Sequence, residues 1–232
     1  NTFHWEGLWV DALHPNGSTC QRWVRTGMPR IDEEALDSIV FLYKSVEDAW
    51  KGVDAEGTGF IVGYPAERGD LFDRMYHHCY IVTNEHVLIK GNAPVARINR
   101  YGFDSRTETF GHDPSDWEIN KKADIAILPL RLQSYLDFRE YKAFLISTTI
   151  FITEDKLGHL DIGVGDDVFM IGHLIDHPEP SEINEPYVRF GNISKMPSIA
   201  DKPYTKYDGY KLDMRSRVGF SGSPVFIYKV PD

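Results

Sequence analysis

Short apolar segments separated by turn-forming residues recur along this chain and limit the folds that it can adopt. Glycine, proline, asparagine and aspartate cluster between these segments, which is typical of strands joined by turns. Apolar or β-branched segments occur at residues 38–43, 59–64, 79–83, 95–98, 124–130, 167–172, 187–193 and 223–228. The pattern predicts an all-β protein built from antiparallel barrels or as a sandwich.

Helical patterns are sparse in this sequence. Residues 32–36 resemble the first turn of a helix, because acidic residues follow Asp32 directly. In the stretch 131–145, Leu132, Leu136 and Tyr141 have a roughly helical spacing, and we interpret this stretch as a connection between two β units. Residues 1–30 are rich in tryptophan and turn formers and give no assignment.

Composition narrows the classes of function. A chain of 232 residues suits one or two compact units, and 42% hydrophobic residues are enough to form a core. No apolar run reaches the length needed to span a membrane, so we expect no membrane insertion. The net charge of −10 argues against nonspecific binding to nucleic acid or to an anionic membrane surface. We expect no nucleic-acid partner.

A serine near the C-terminus lies in a turn suited to nucleophilic chemistry. Residues 218–226 read Val-Gly-Phe-Ser-Gly-Ser-Pro-Val-Phe, a Gly-x-Ser-Gly-x-Pro turn that leads into an apolar strand. Small neighbours let the main chain approach a substrate carbonyl. The N–H groups of Gly219 and Ser221 would then stabilise one developing oxyanion.

Two upstream segments supply a histidine and an aspartate. His86 follows an apolar strand that ends at Asn84, and Asp124 begins a strongly apolar strand. Each residue alone is more often a surface or capping residue. Together with Ser221, however, they give the chain order His, Asp, Ser, which is the order of chymotrypsin. All three lie at strand ends or turns, where side chains from separate elements converge.

These segments resemble the trypsin-like serine peptidases, in particular their bacterial HtrA/Deg-like branch. The resemblance rests on five landmarks in the same order, spread over roughly residues 38–228: the segments 56–62, 83–87, 123–128, 165–172 and 190–194. It implies a chymotrypsin-type fold of two antiparallel β-barrels with the active site in the cleft between them. It also implies a serine endopeptidase that acts on protein or peptide substrates through a triad of His86, Asp124 and Ser221, without a cofactor.

The same resemblance suggests how the chain is divided. Residues 1–37 would form an N-terminal extension, 38–131 a first barrel with His86 and Asp124, 132–150 the connection, and 151–232 a second barrel with Ser221. The family has further strands after its serine, whereas here only residues 222–232 follow. We therefore expect an incomplete second barrel, either because the chain is cut short or because a separate segment completes it. Further domains or oligomerisation outside this chain stay open.

The resemblance also gives expectations for substrate specificity and for activation by cleavage. Arg215 and Val218 occupy the region of the primary substrate pocket, where an arginine would favour an acidic P1 side chain. The alternative is that Arg215 or Arg217 is an exposed strand charge with no role. Phe220 stands where digestive proteases carry an aspartate that pairs with a freed N-terminus. Activation by N-terminal cleavage is therefore not expected.

The sequence gives weaker support for a thiol nucleophile or a metal site. Cys20 and Cys79 would form one disulfide or remain reduced thiols, and neither has the glycine-rich turn expected beside a thiol nucleophile. Adjacent His77 and His78 would point to opposite faces of a strand, so we expect no metal site there. His173 and His177 are four residues apart but lie in a loop bracketed by Gly172 and Pro178, and we expect no metal there either.

Two classes of function remain. The first is a serine endopeptidase, from which an esterase or acyl transferase cannot be separated by these residues. The second is a catalytically inactive trypsin-like scaffold that binds a protein partner. The lack of a signal-like segment and the presence of only two cysteines slightly favour a cytoplasmic location, with periplasmic and secreted locations open.

Overall fold

The structure is a computed structural model that describes residues 7–13, 19–25, 31–65, 77–101, 106–130, 140–175, 180–197, 209–214 and 218–228. Strands dominate this part of the chain. They are β1 (Gly7–Leu13), β2 (Thr19–Arg25), β3 (Ile39–Tyr43), β4 (Gly57–Pro65), β5 (His77–Thr83), β6 (Val95–Asn99), β7 (Thr107–Phe110), β8 (Glu118–Asn120), β9 (Ile125–Leu130), β10 (Ile146–Ser147), β11 (Asp167–Gly172), β12 (Tyr187–Lys195), β13 (Lys211–Met214) and β14 (Val225–Ile227). The helices are α1 (Val46–Lys51), α2 (Glu85–Ile89) and α3 (Glu154–His159), with short 3-10 turns at Glu33–Ser38, Pro114–Asp116 and Thr148–Ile150.

An eight-stranded sheet forms the first β unit. Its strands follow the order β7-β6-β3-β4-β5-β9-β8, and β10 adds to β4 as a parallel neighbour. The sheet curls around an apolar core whose members alternate along the strands, including Val40, Leu42, Ile61 and Ile81. Alternation places every second side chain on the inner face, so this core fills the concave side of the sheet.

A four-stranded antiparallel sheet forms the second β unit. Its order is β13-β12-β11-β14, and Val168 and Ile193 lie in its own small core. Ile171 on β11 points the other way and is buried with Ile39 and Phe41 of β3. This second cluster is a shared core that joins the two sheets.

The prediction of an all-β fold is confirmed, because each of the eight predicted segments contains a strand. The acidic stretch beginning at Asp32 forms a 3-10 turn, with the Asp32 carboxylate accepting from the Glu34 N–H at 3.3 Å. The helical interpretation of 131–145 is wrong for residues 140–145, and residues 131–139 lie outside the described part of the chain. Tyr141 pairs instead with Arg100 in a single bridge, and its hydroxyl donates to Glu108 at 2.9 Å.

Among the described residues, no helix is both long and apolar enough to span a membrane.

Candidate active site

His86 lies in the first turn of the short helix α2, directly after β5 ends at Thr83. Asn84 has an extended backbone and precedes the helix, and the next residues, Val87 and Leu88, are buried in the core of the first sheet. These two apolar side chains hold the helix against the sheet. The histidine therefore lies just beyond the strand end, as the sequence predicts, and is carried on a short packed helix that the sequence did not predict.

Asp124 occupies a left-handed conformation just before β9, with φ of +56°. Its carbonyl oxygen accepts a hydrogen bond from the side-chain amide of Asn84 at 2.9 Å and one from the N–H of Glu85 at 3.2 Å. Asn84 was not among the predicted site residues. The two bonds hold the turn before β9 against the start of α2, which places the aspartate beside the histidine.

The carboxylate of Asp124 contacts His86 twice. Oδ1 accepts from the backbone N–H of His86 at 3.0 Å, and Oδ2 lies 2.8 Å from Nδ1 of its ring. Because an ionised carboxylate only accepts hydrogen bonds, Nδ1 carries the proton in this pair. In the neutral ring, the lone pair is then on Nε2. This arrangement leaves the outer nitrogen of the half-buried imidazole able to take a proton.

Ser221 is exposed at the tip of a turn that rests on β4. Its carbonyl oxygen accepts from the N–H of Thr58 at 2.9 Å, and the carbonyl of Gly219 accepts from the Thr58 hydroxyl at 2.7 Å. Gly219 and Gly222 have φ of +103° and +87°, values that side chains rarely allow. A Cβ at Gly222 would lie 2.0 Å from the carbonyl oxygen of Thr58. Glycine is required there for the turn to approach the strand.

Each carbonyl from Val218 to Ser221 accepts a hydrogen bond. Besides the two bonds to Thr58, the carbonyl of Val218 accepts from the N–H of Ile175 at 3.4 Å, and that of Phe220 from the N–H of Ser223 at 3.1 Å. In a trans peptide the N–H points opposite to the C=O. Within the described residues, the N–H groups of Gly219 and Ser221 have no acceptor. They are available to a bound oxyanion.

The serine turn and the histidine helix flank the same glycine. A Cβ at Gly57 would lie 2.7 Å from Val87, next to His86, and 3.2 Å from the carbonyl oxygen of Ser221. The Ser221 hydroxyl and the His86 ring are nevertheless not joined by a hydrogen bond, although both residues lie in the described part of the chain. Such bonds are often long in an active site without substrate and shorten when substrate binds.

The structure describes only some of the other residues that the sequence analysis singled out. Arg215 and Arg217 lie outside the described residues, whereas Val218 is 72% exposed beside the serine turn. Cys79 is buried in the first core, and burial raises the pKa of its thiol to about 11, which opposes thiolate formation. The side chains of Cys20 and His77 and all of His177 also lie outside the described part.

Among the described residues, no three histidine, cysteine, aspartate or glutamate side chains are grouped so that they could hold a metal ion. His173 instead packs on Phe41, with ring centroids 4.4 Å apart. Burial, reinforced by nearby Arg97, lowers the pKa of His173 to about 4. Its ring is therefore neutral near pH 7.

Comparison with known proteins gives structural similarity only. No family model matches the chain. No curated protein matches it. Similar solved structures include Deg5, which is 15% identical, with 84% of this chain and 76% of that chain covered and a TM-score of 0.45. The apo MamO protease domain from Magnetospirillum magneticum is 14% identical, with coverage of 84% and 80% and a TM-score of 0.48. The HtrA-type protease AlgW with a tripeptide is 18% identical, with coverage of 84% and 48% and a TM-score of 0.44. The chain is thus similar to HtrA/Deg-type structures at low sequence identity.

Proposed function

We propose that this protein is a serine endopeptidase that hydrolyses peptide bonds with His86, Asp124 and Ser221. The observation that carries the proposal is the double contact between the Asp124 carboxylate and His86, at 3.0 Å to its backbone N–H and 2.8 Å to Nδ1. This pair orients an imidazole base beside a turn that carries an exposed serine and two amides without an acceptor among the described residues. Neither feature is needed for a scaffold that only binds a partner.

The chemistry begins with attack of the Ser221 hydroxyl on a substrate carbonyl. Nε2 of His86 takes the hydroxyl proton, and the Asp124 carboxylate stabilises the imidazolium that forms. The carbonyl oxygen becomes an oxyanion, which accepts from the N–H groups of Gly219 and Ser221. In other enzymes, removal of one such donor costs about 3 kcal/mol of transition-state stabilisation.

His86 completes the cycle by three further proton transfers. It first returns the proton to the leaving amine, so that the carbon–nitrogen bond breaks and an acyl-enzyme remains on Ser221. It then takes a proton from water as water attacks the ester. Collapse of the second tetrahedral species breaks the ester bond and releases the acid, and His86 returns its proton to the Ser221 oxygen. No cofactor takes part in these steps.

Substrate preference is a separate part of the proposal. Arg215 and Val218 would line the pocket for the P1 side chain, and the arginine would pair with a carboxylate there. The test compares hydrolysis of peptides with Glu, Leu or Arg at P1. We expect the glutamate peptide to be cleaved fastest and Arg215→Ala to remove that preference. Preferential cleavage after arginine would contradict the assignment of Arg215.

The alternative function is that of a catalytically inactive scaffold that binds a protein partner. The observation in its favour is that Ser221 and His86 do not share a hydrogen bond. Both candidates can be separated by a fluorophosphonate probe, which labels only activated serine nucleophiles.

The labelling experiment compares the wild-type chain with Ser221→Ala and with the matched control Ser223→Ala. Ser223 lies in the same turn, but its hydroxyl is buried, so its removal should leave labelling intact. We expect the wild type and Ser223→Ala to be labelled, and Ser221→Ala and His86→Ala to be unlabelled. A folded wild-type chain that resists labelling would exclude the endopeptidase and favour the scaffold.

A further inference from the structure

We propose that Thr58 is a positioning residue that holds the amides of the serine turn in the orientation needed to bind an oxyanion. This inference rests on the proposed endopeptidase function. Thr58 lies on β4 of the first sheet. The strands before and after Ser221 in the sequence, β13 and β14, belong to the second sheet. Thr58 does not contact substrate in this scheme and acts only through the turn.

The hydroxyl of Thr58 has a fixed hydrogen-bond direction. It accepts from the backbone N–H of His173 at 2.8 Å and lies 2.7 Å from the carbonyl oxygen of Gly219. An N–H can only donate and a carbonyl can only accept, so the single hydroxyl proton must be directed to Gly219. Thr58 is fully buried, and water therefore does not compete for either bond. The hydroxyl thus accepts a hydrogen bond from the residue that follows β11 and donates one to the serine turn.

Thr58 bonds the turn on both sides of the Ser221 amide. Its hydroxyl holds the carbonyl of the Gly219–Phe220 peptide, and its backbone N–H holds the carbonyl of the Ser221–Gly222 peptide at 2.9 Å. The peptide that carries the Ser221 N–H lies between these two fixed units. The carbonyl of that peptide also accepts from the Ser223 N–H at 3.1 Å, so Thr58 and this bond within the turn together set the orientation of the Ser221 N–H.

The Gly219 amide depends on the same contact. Its peptide is otherwise held by the bond from the Ile175 N–H to the Val218 carbonyl, which is long at 3.4 Å. Glycine has little intrinsic preference between alternative backbone orientations, and Gly219 is already at a φ of +103°. Without the 2.7 Å bond from Thr58, little else prevents rotation of the peptides around Gly219.

The test measures steady-state hydrolysis of a peptide substrate by Thr58→Val, in which a methyl group replaces the hydroxyl with nearly the same shape. Because oxyanion binding occurs in the transition state, we expect kcat to fall at least about tenfold. KM, and the pH at which kcat/KM is half-maximal, should stay unchanged because substrate contacts and His86 are untouched. The rate of fluorophosphonate labelling should fall by a similar factor.

Two sets of variants separate positioning from general stability. Thr58→Ser and Thr58→Ala both lose the methyl group, but only serine keeps the hydroxyl, so Thr58→Ser should stay within about threefold of wild-type kcat while Thr58→Ala matches Thr58→Val. This pair remains informative if Thr58→Val does not fold. Ser38→Ala is the remote control: Ser38 is equally buried, and its hydroxyl also donates to a backbone carbonyl at 2.7 Å. It should lose stability but keep kcat.

Failure of this inference is distinguishable from failure of the proposed function. If the wild type is labelled and Thr58→Val reacts as fast, or if Thr58→Ser is as slow as Thr58→Ala, Thr58 does not position the turn. Equal loss of kcat in Ser38→Ala would also overturn the assignment, because stability alone would then explain it. If the folded wild type is neither labelled nor active, the proposed function fails, and this inference fails with it.

Discussion

At the scale of single residues, Asp124 has an unusual backbone conformation for a residue with a side chain. A φ of +56° costs on the order of 1 kcal/mol for most residues, with aspartate and asparagine the best tolerated. The conformation lets one residue present its carbonyl to Asn84 and its carboxylate to His86. The strain and the acid–base pair are therefore consequences of the same turn.

Replacing Asp124 by asparagine should remove activity without removing the fold. Asparagine accepts the left-handed conformation and can still accept from the His86 N–H, but its neutral side chain cannot stabilise an imidazolium. We expect kcat to fall by roughly a thousandfold or more while the thermal midpoint changes little. Asp54→Asn is the matched control, since Asp54 has a similar φ of +53° and is exposed away from His86. Equal kcat in Asp124→Asn and wild type would contradict the assigned role.

His173 makes stability depend on pH. Burial holds its pKa near 4 in the folded protein, against an ordinary value of 6.5, so between these values only the unfolded chain binds the proton. The contribution to the free energy of unfolding is fully present above about pH 6.5 and is lost as the pH falls towards 4. For a partly buried group, the loss is on the order of 2 kcal/mol.

His173→Gln should therefore reduce the acid sensitivity of folding. Urea unfolding at pH 7 and pH 4.5 would measure the difference in unfolding free energy, which we expect to be smaller in His173→Gln than in the wild type. His112→Gln, which removes an exposed imidazole, serves as the control and should match the wild type. An unchanged pH dependence in His173→Gln would show that other groups control the acid response.

At the scale of elements, a buried arginine attaches the segment 180–185 to the first sheet. Arg97 on β6 is 1% exposed and donates to the side chain of Asn184 at 2.8 Å and to the carbonyls of Ser181 and Ile183 at 3.0 and 3.2 Å. A further bond at 2.8 Å reaches the Ala49 carbonyl within α1. One planar guanidinium thus joins three backbone carbonyls and one side chain.

Arg97→Met should be strongly destabilising because it removes the donor to the Asn184 side-chain oxygen and to the Ser181 carbonyl, within a buried part of the fold. We expect the free energy of unfolding to fall by about 3 kcal/mol, measured by urea denaturation. Arg106→Met is the control: its ion pair with Glu182, at 3.3 Å, reaches the same segment but is exposed. Such a pair contributes about 0–1 kcal/mol. Similar losses in the two variants would contradict the role given to Arg97.

The strands were predictable from sequence where a buried face imposes a pattern, and not elsewhere. The eight predicted segments were found because their apolar residues face a core. Strand β8 (Glu-Ile-Asn) is exposed throughout, and β7 (Thr-Glu-Thr-Phe) is half-buried, so both depend on pairing with a neighbouring strand rather than on their own residues. Helix α2 has five residues, too few to show a helical period, which is why the sequence predicted only that His86 follows a strand.

At the scale of the whole molecule, one shared core joins the two sheets. Ile171 of the second sheet is fully buried among residues of β3, with Phe169, Val188 and Phe226 packed around the same cluster. We therefore expect the two sheets to unfold as one cooperative unit.

Ile171→Ala tests this coupling. All five tryptophans lie at or before residue 117, so their fluorescence reports on the N-terminal half of the chain, whereas far-UV circular dichroism reports on all of it. Both signals should shift together, with a loss of about 3 kcal/mol in unfolding free energy. Ile150→Ala removes the same atoms from an exposed site and should cost less than about 0.5 kcal/mol. A fluorescence transition that stays at its wild-type midpoint would mean that the sheets unfold separately.

The candidate site was only partly predictable for a related reason. His86, Asp124 and Ser221 could be selected because their side chains carry recognisable chemistry in a recognisable order. Thr58 could not, because its role depends on the backbone carbonyl of Gly219, 161 residues away, and a backbone atom leaves no signature in sequence. Asn84 escaped prediction likewise, since its partner is the carbonyl oxygen of Asp124.

The long separation between Thr58 and Gly219 bears on when the proposed activity can arise during synthesis. The histidine–aspartate pair spans only 38 residues and can form as soon as β9 has left the ribosome. The serine turn acquires its shape only after residues 218–221 emerge and reach a strand made much earlier. A growing chain is therefore latent until residues 218–221 have emerged and folded against β4.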